Sequence, residues 1–158
     1  MTTAIVRLAL IATVVATIGC DRVTKHEAAR TLAGTPGRSL LRDTVRLSYA
    51  ENAGGFLSLG ARLPRPARTA LFTAATGLML LGAAAFAIRR GANGWPAFGV
   101  TLFISGGASN WFDRAVRGSV VDFVSVGVGP LRTGIFNVAD VAIMVGVGIV
   151  LAWELRRR

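Results

Sequence analysis

The stretch Ser109–Asp140, SNWFDRAVRGSVVDFVSVGVGPLRTGIFNVAD, decides how this chain is read. It carries three of the chain's eight acidic residues, Asp113, Asp122 and Asp140. Asp122 lies in VVDF, and Asp140 follows 18 positions later inside an otherwise charge-free apolar run that continues to Trp153. A carboxylate in apolar surroundings is costly to keep ionised, so such a residue marks a functional site by default. On one straight helix, about 1.5 Å of rise per residue would hold the two aspartates roughly 27 Å apart. Gly118, Gly127, Gly129, Pro130 and Gly134 lie around and between them and let the chain turn back. One carboxylate is then expected at the end of the third helical region and the other in the first turn or so of the fourth, at one membrane face.

The flanks of this stretch support a membrane setting. Trp95–Phe112 is uncharged, as are the 20 residues of Thr69–Ile88, and Ala4–Cys20 is apolar apart from Arg7. An apolar helix of about 20 residues crosses the hydrocarbon core. Four helices are therefore predicted near residues 4–20, 69–88, 95–112 and 135–153. Ala4–Cys20 also admits a cleaved signal peptide, ending in a lipobox-like TIGC. Thr17, where such motifs carry leucine, and the apolar remainder favour an uncleaved first helix. The small residues Ser105, Gly106, Gly107 and Ser109 allow close helix packing in the third run.

Residues 21–68 are the one long polar region. Asp21–Gly34 reads as a short continuation of helix. Leu41–Tyr49 alternates imperfectly as a strand, and the Gly- and Pro-rich segment from Glu51 to Pro66 reads as a turn followed by irregular or short amphipathic structure. The fold class expected is an all-α membrane protein, with four transmembrane helices, a small surface β-cradle over residues 21–68 and a short amphipathic segment. Residues 1–158 form one domain.

Composition agrees. The chain is 53% hydrophobic and only 16% charged, against roughly 25% charged in soluble domains; its mean hydropathy is +0.56. The net charge of +10 does not indicate nucleic acid, because the arginines fall mostly between apolar runs and at the C-terminus. One cysteine excludes an intramolecular disulfide. With one histidine besides, a conventional zinc site is not expected. No HExxH, GxSxG, paired CxxC or phosphate-cradling loop occurs. Compact clusters at Arg89–Arg90 and Arg156–Arg158 favour termini inside, although 12 of the 18 basic residues fall on the opposite side.

Two carboxylates a few ångströms apart in a low dielectric do not both ionise. The charged one can take a proton from water as it attacks a peptide carbonyl, and the neutral one can protonate the carbonyl oxygen. Asn137, three residues before Asp140 on the same helical face, is placed to orient a carboxylate or hold substrate backbone. Asp113 reads as an ion-pair partner or a third acid. Arg114 pairs with Asp113 or Asp122, or meets a headgroup. On charge alone, a peptidase, an ion or solute pathway and a structural membrane subunit all stay open.

Taken together, GSVVDF (Gly118–Phe123), FNVAD (Phe136–Asp140) and NWFDR (Asn110–Arg114) resemble blocks of the lipoprotein signal peptidases, the type II bacterial enzymes of the inner membrane. Upstream, Asp21 and Lys25 resemble the family's residues after its first helix, and Asn52 with Gly54 its asparagine-containing loop. The resemblance implies four transmembrane helices, a periplasmic sheet, cytoplasmic termini and hydrolysis before the diacylglyceryl-modified cysteine of a prolipoprotein. It implies that Asp122 and Asp140 are catalytic, that Asn52, Gly54, Asn110, Arg114 and Asn137 shape the site or bind substrate, and that Asp21, Lys25 and Asp113 support it. It also implies no cofactor or metal, contact with membrane lipids and inhibition by globomycin-like compounds. The chain departs from the family at Ser109, where glycine is usual. A second departure follows Asn52, where the order is Ala53, Gly54, Gly55, Phe56, Leu57. Both bear on substrate preference and inhibitor affinity.

Overall fold

The computed structural model describes residues 3–54, 60, 62–91 and 93–157. The first helix, α1 (Thr3–Leu32), runs 30 residues without interruption and carries its polar last third well past Cys20. Two short strands follow, β1 (Arg38–Leu40) and β2 (Val45–Asn52). A helical rod comes next, built from α2 (Arg65–Thr69), a π-helical stretch (Ala70–Ala75) and α3 (Thr76–Arg89). Then come α4 (Gly94–Arg117), β3 (Val120–Val128), β4 (Leu131–Arg132) and α5 (Val138–Leu155). Among the described residues, three helical segments are long and apolar enough to cross a membrane: Ala4–Leu32, Arg65–Arg89 and Val138–Leu155.

The third expected run, residues 95–112, became α4, whose 24 residues would extend about 36 Å. Its mean hydropathy is depressed because it buries a polar face: Ser105, Ser109, Asn110 and Asp113 all point into the protein. α4 packs against α1, α3 and α5. Glycine makes the α4–α5 approach possible. A Cβ on Gly146 would come 2.5 Å from Gly99 O, and one on Gly106 would clash with Ala139 O. On the other side of α4, Trp111 Nε1 donates to Thr73 O at 2.9 Å, inside the π-helical stretch. Extra backbone groups are left open where the i→i−4 ladder slips.

The sheet is antiparallel, in the order β1-β2-β3-β4. The expected strand over Leu41–Tyr49 is displaced. Leu41, Arg42 and Asp43 adopt left-handed φ values of 50°, 52° and 67°, making the turn between β1 and β2. Asp43 holds that turn by accepting from Ser39 Oγ at 2.7 Å and from Arg46 Nε and Nη2 at 2.7 and 2.6 Å. β3 is the element that sequence alternation did not single out. It is buried along most of its length and so has no clean in/out pattern. Val121 and Phe123 join Ala28 and Leu32 of α1 in the core under the sheet, which turns the intervening Asp122 to the other face.

Two boundaries carry the site. α4 ends at Gly118, φ 77°, whose N–H reaches Arg114 O at 3.0 Å, a left-handed C-cap that starts the chain into β3. α5 begins at Val138 rather than near residue 135, because Phe136 bridges to Val124 of β3. Part of the Gly- and Pro-rich segment Glu51–Pro66, where the short amphipathic structure was expected, lies outside the described residues at 55–59 and 61, which include Gly55, Phe56 and Leu57 of the loop after Asn52.

Candidate active site

Asp122 is in a strand, not at the end of the third helix as expected; Asp140 is in the first turn of α5 as expected. The sheet and the Phe136 bridge bring the two together by laying the N-cap of α5 beside β3. Asn137 is that N-cap. Its Oδ1 accepts the Asp140 N–H at 3.0 Å, and Asp140 Oδ2 accepts the Asn137 N–H at 3.1 Å, a reciprocal capping box. The free end of the Asn137 amide donates to Asp122 Oδ1 at 2.6 Å. One residue therefore engages both carboxylates, Asp122 through its side-chain amide and Asp140 through its backbone N–H; it does so as the extended N-cap of α5 rather than from the expected shared helical face.

The second oxygen of Asp122 accepts from Asn52 Nδ2 at 2.9 Å. Asn52 faces Val120 across the β2–β3 ladder, which puts it diagonal to Asp122 on the same face. Its Oδ1 accepts the Gly54 N–H at 3.1 Å, tying the loop to the site. The second oxygen of the Asp140 pair is Oδ1, which accepts from Asn110 Nδ2 at 2.8 Å. Burial pushes the Asp122 carboxyl above the usual carboxylate range, the nearby charge of Asp140 pushes the same way, and the amides of Asn52 and Asn137 oppose both.

Beneath the pair lies a buried charge network. Lys25 Nζ stands 2.6 Å from Asp21 Oδ2, 2.8 Å from Asp113 Oδ2 and 2.8 Å from Asn110 Oδ1. Asp113 also accepts from Arg22 Nη1 at 2.7 Å, and the Arg22 guanidinium lies 4.5 Å over the Phe112 ring. Asp113 is thus an ion-pair partner, the first of its two readings. Arg114 pairs with neither Asp113 nor Asp122 among the described residues. Asp21 is fully buried; its Oδ1 accepts the Ala139 N–H at 2.9 Å and its Oδ2 accepts Ser109 Oγ at 2.7 Å. Asp21 of α1 therefore holds an open N–H in the first turn of α5, one residue before Asp140.

Two contributors escaped the sequence reading. Arg22 looked like one more interfacial arginine, and its only signal was its place beside Asp21. Ser109 was visible as a departure, but its role as a donor to a residue 88 positions away was not.

A helical bundle with membrane-length spans, carrying one buried and one half-buried carboxylate joined by asparagine amides beside a small sheet, defines an integral membrane protein with a polar site of paired acids. Comparison with known proteins makes this particular. The family described as Signal peptidase (SPase) II matches residues 13–156, and the chain belongs to it; it is a peptidase by that membership. It is 34% identical over 143 residues to the lipoprotein signal peptidase of Brevibacillus brevis, covering 90% of each chain. It is also 34% identical to that of Mycolicibacterium smegmatis, with 94% of this chain aligned but only 62% of the longer relative. Two solved chains, each described as a bacterial membrane enzyme, superpose with TM-scores of 0.82 and 0.80 at 23% identity. The first alignment covers 94% of this chain and 88% of the other, the second 95% and 94%. At that identity they bear on the fold.

Proposed function

We propose that this protein is an aspartic endopeptidase of the bacterial inner membrane that removes the signal peptide from lipid-modified prolipoproteins, cutting before the diacylglyceryl-cysteine. The observation that carries the proposal is the Asn137 bridge: its amide donates to Asp122 while its backbone and carbonyl engage Asp140. Two carboxylates held by one capping residue share an environment and titrate as a pair.

In this reading the pair holds one proton. The ionised carboxylate takes a proton from water as the water oxygen bonds to the scissile carbonyl carbon, and the protonated one gives its proton to the carbonyl oxygen. The tetrahedral species then collapses: the C–N bond breaks, the amine leaves with the proton returned by the first carboxylate, and one diol hydroxyl gives its proton back to the second carboxylate as the new carbonyl forms, which restores the one-proton pair. Asn52, Gly54, Asn110, Arg114 and Asn137 hold the acids and the substrate backbone; Asp21, Lys25 and Asp113 keep the helices that carry them in register. Asp122 and Asp140 act without metal or organic cofactor.

The residues 1–158 form a single membrane domain in which α4 is a fourth crossing, with cytoplasmic termini and the sheet on the periplasmic side. Support comes from α4 packing between the three apolar spans and from arginine clusters at the terminus-side helix ends. Globomycin-like peptides would compete at the same site. The transport reading has no comparable support, since every oxygen of Asp122 and Asp140 is already engaged by an amide.

The decisive experiment is a gel-shift assay with lipidated precursor in detergent or liposomes, run on wild type, Asp122→Asn and Asp140→Asn. Each variant is expected to stay folded and lose cleavage. Near-normal cleavage by either one removes the dyad from the mechanism.

A further inference from the structure

We infer that the pocket between α2, the last turns of α4 and the end of β2 binds the phosphate of an anionic phospholipid headgroup. The cavity measures about 470 Å³ and is lined by Arg65 and Arg68 from one side and Arg114 and Arg117 from the other, with Phe72 on its wall. The single carboxylate lining it, Glu51, is already engaged by Tyr49 Oη at 2.8 Å and Ser119 Oγ at 2.9 Å.

Four arginines so gathered normally recruit carboxylates. Among the described residues none of these four has one within ion-pair distance, and Arg114 Nε is buried with no hydrogen-bond partner. Residues 55–59 and 61, which lie outside the described residues, are Gly55, Phe56, Leu57, Ser58, Leu59 and Ala61 and include no acid. Four positive charges against one leave a pocket of net +3. Guanidinium groups match phosphate oxygens in a bidentate fork, the pairing this arrangement lacks internally.

Lipid is the source that the location favours. Arg65 opens the span Arg65–Arg89, so Arg65 and Arg68 lie where the apolar run meets water, at headgroup depth. Phosphodiesters are the concentrated anions there, and juxtamembrane arginines are drawn to them. Phe72, one turn further along, offers the glycerol region an apolar wall. Nothing in this inference depends on the peptidase chemistry, and its test reads binding alone.

The full chain in detergent is examined by native mass spectrometry with phosphatidylglycerol or phosphatidylcholine added in equal amounts, and again with millimolar inorganic phosphate or a short acidic peptide as competitor. Wild type should retain phosphatidylglycerol at least about tenfold over phosphatidylcholine, an advantage of about 1.4 kcal/mol, and raising ionic strength should weaken it. The preference should vanish in Arg65→Gln/Arg68→Gln/Arg117→Gln and survive in Arg89→Gln/Arg90→Gln at the other end of the same helix. Equal retention of the two lipids, or a preference unchanged by the triple substitution, overturns the site. Displacement by inorganic phosphate overturns the lipid assignment in favour of a free anion. Displacement by an acidic peptide but not by phosphate overturns it in favour of a polypeptide ligand.

Discussion

Asn110 Nδ2 lies 2.8 Å from Asp140 Oδ1, while the other end of the same amide accepts from Lys25 Nζ at 2.8 Å and from Asn137 Nδ2 at 3.2 Å. One buried asparagine thus joins the charge network of α1 and α4 to the acid of α5. Its donor and acceptor ends are both used, so its orientation is set by its neighbours.

Asn110→Ala should release Asp140 on the side facing α4 while leaving the capping box intact. A misplacement of about 1 Å in a catalytic group costs on the order of 10²-fold. kcat on lipidated precursor is expected to fall by about that factor, with KM changing much less. A variant with unchanged kcat and a raised KM would assign Asn110 to substrate binding alone.

The pH dependence follows from Asp122. Burial raises its pKa, Asp140 adds to the rise, and the Asn52 amide favours the charged form and lowers it. If the pair works with one proton, activity falls on the alkaline side as that proton leaves. Asn52→Leu removes a group that lowers the pKa, so the alkaline limb of kcat/KM should move to higher pH, whatever happens to its height. A limb that stays put or moves down contradicts the assignment.

Lys25 stands between two buried carboxylates, Asp21 and Asp113, at 2.6 and 2.8 Å. Removing the charge from a buried ion pair leaves its partners uncompensated and costs about 3–5 kcal/mol. Lys25→Met should therefore lower the unfolding midpoint in detergent strongly. Ser109→Ala, which removes one hydroxyl from Asp21, should cost only about 1–3 kcal/mol. The ranking of the two variants is the check.

Gly106 leaves no room for a side chain against Ala139 O. Gly106→Ala must move α5 at the turn that carries Asp140. Activity is expected to fall at least about tenfold with the protein still folded, since small shifts in positioned groups are amplified in rate. Gly82→Ala, where an added Cβ meets nothing within 4 Å, serves as the control and should be close to wild type in activity.

Much of this was legible in the chain itself. Apolar runs long enough to cross a bilayer follow from hydropathy alone, because the hydrocarbon core imposes its thickness on any sequence that spans it. Asp122 and Asp140 stood out for the same reason: a carboxylate amid apolar residues is too costly to be incidental. Local spacing even related Asn137 to Asp140, although the relation is that of an N-cap to the third helical residue rather than of two positions on one helical face. α4 was visible as an apolar run, but the polar face it buries dilutes its hydropathy.

What only the tertiary structure decided lies beyond the reach of periodicity. β3 is covered on both faces, so its sequence shows no alternation, and Asp122 could be placed on a strand only once β2 was paired beside it. The hydrogen bond from Ser109 to Asp21 spans 88 positions and that from Ala139 to Asp21 spans 118. Local propensity carries no information about such pairs, because they form when helices already packed through Gly99, Gly106 and Gly146 bring their polar faces together. The sequence singled out Asp122 and Asp140 by their apolar surroundings; the packing of α1, α4 and α5 against the sheet decided that one residue, Asn137, links them.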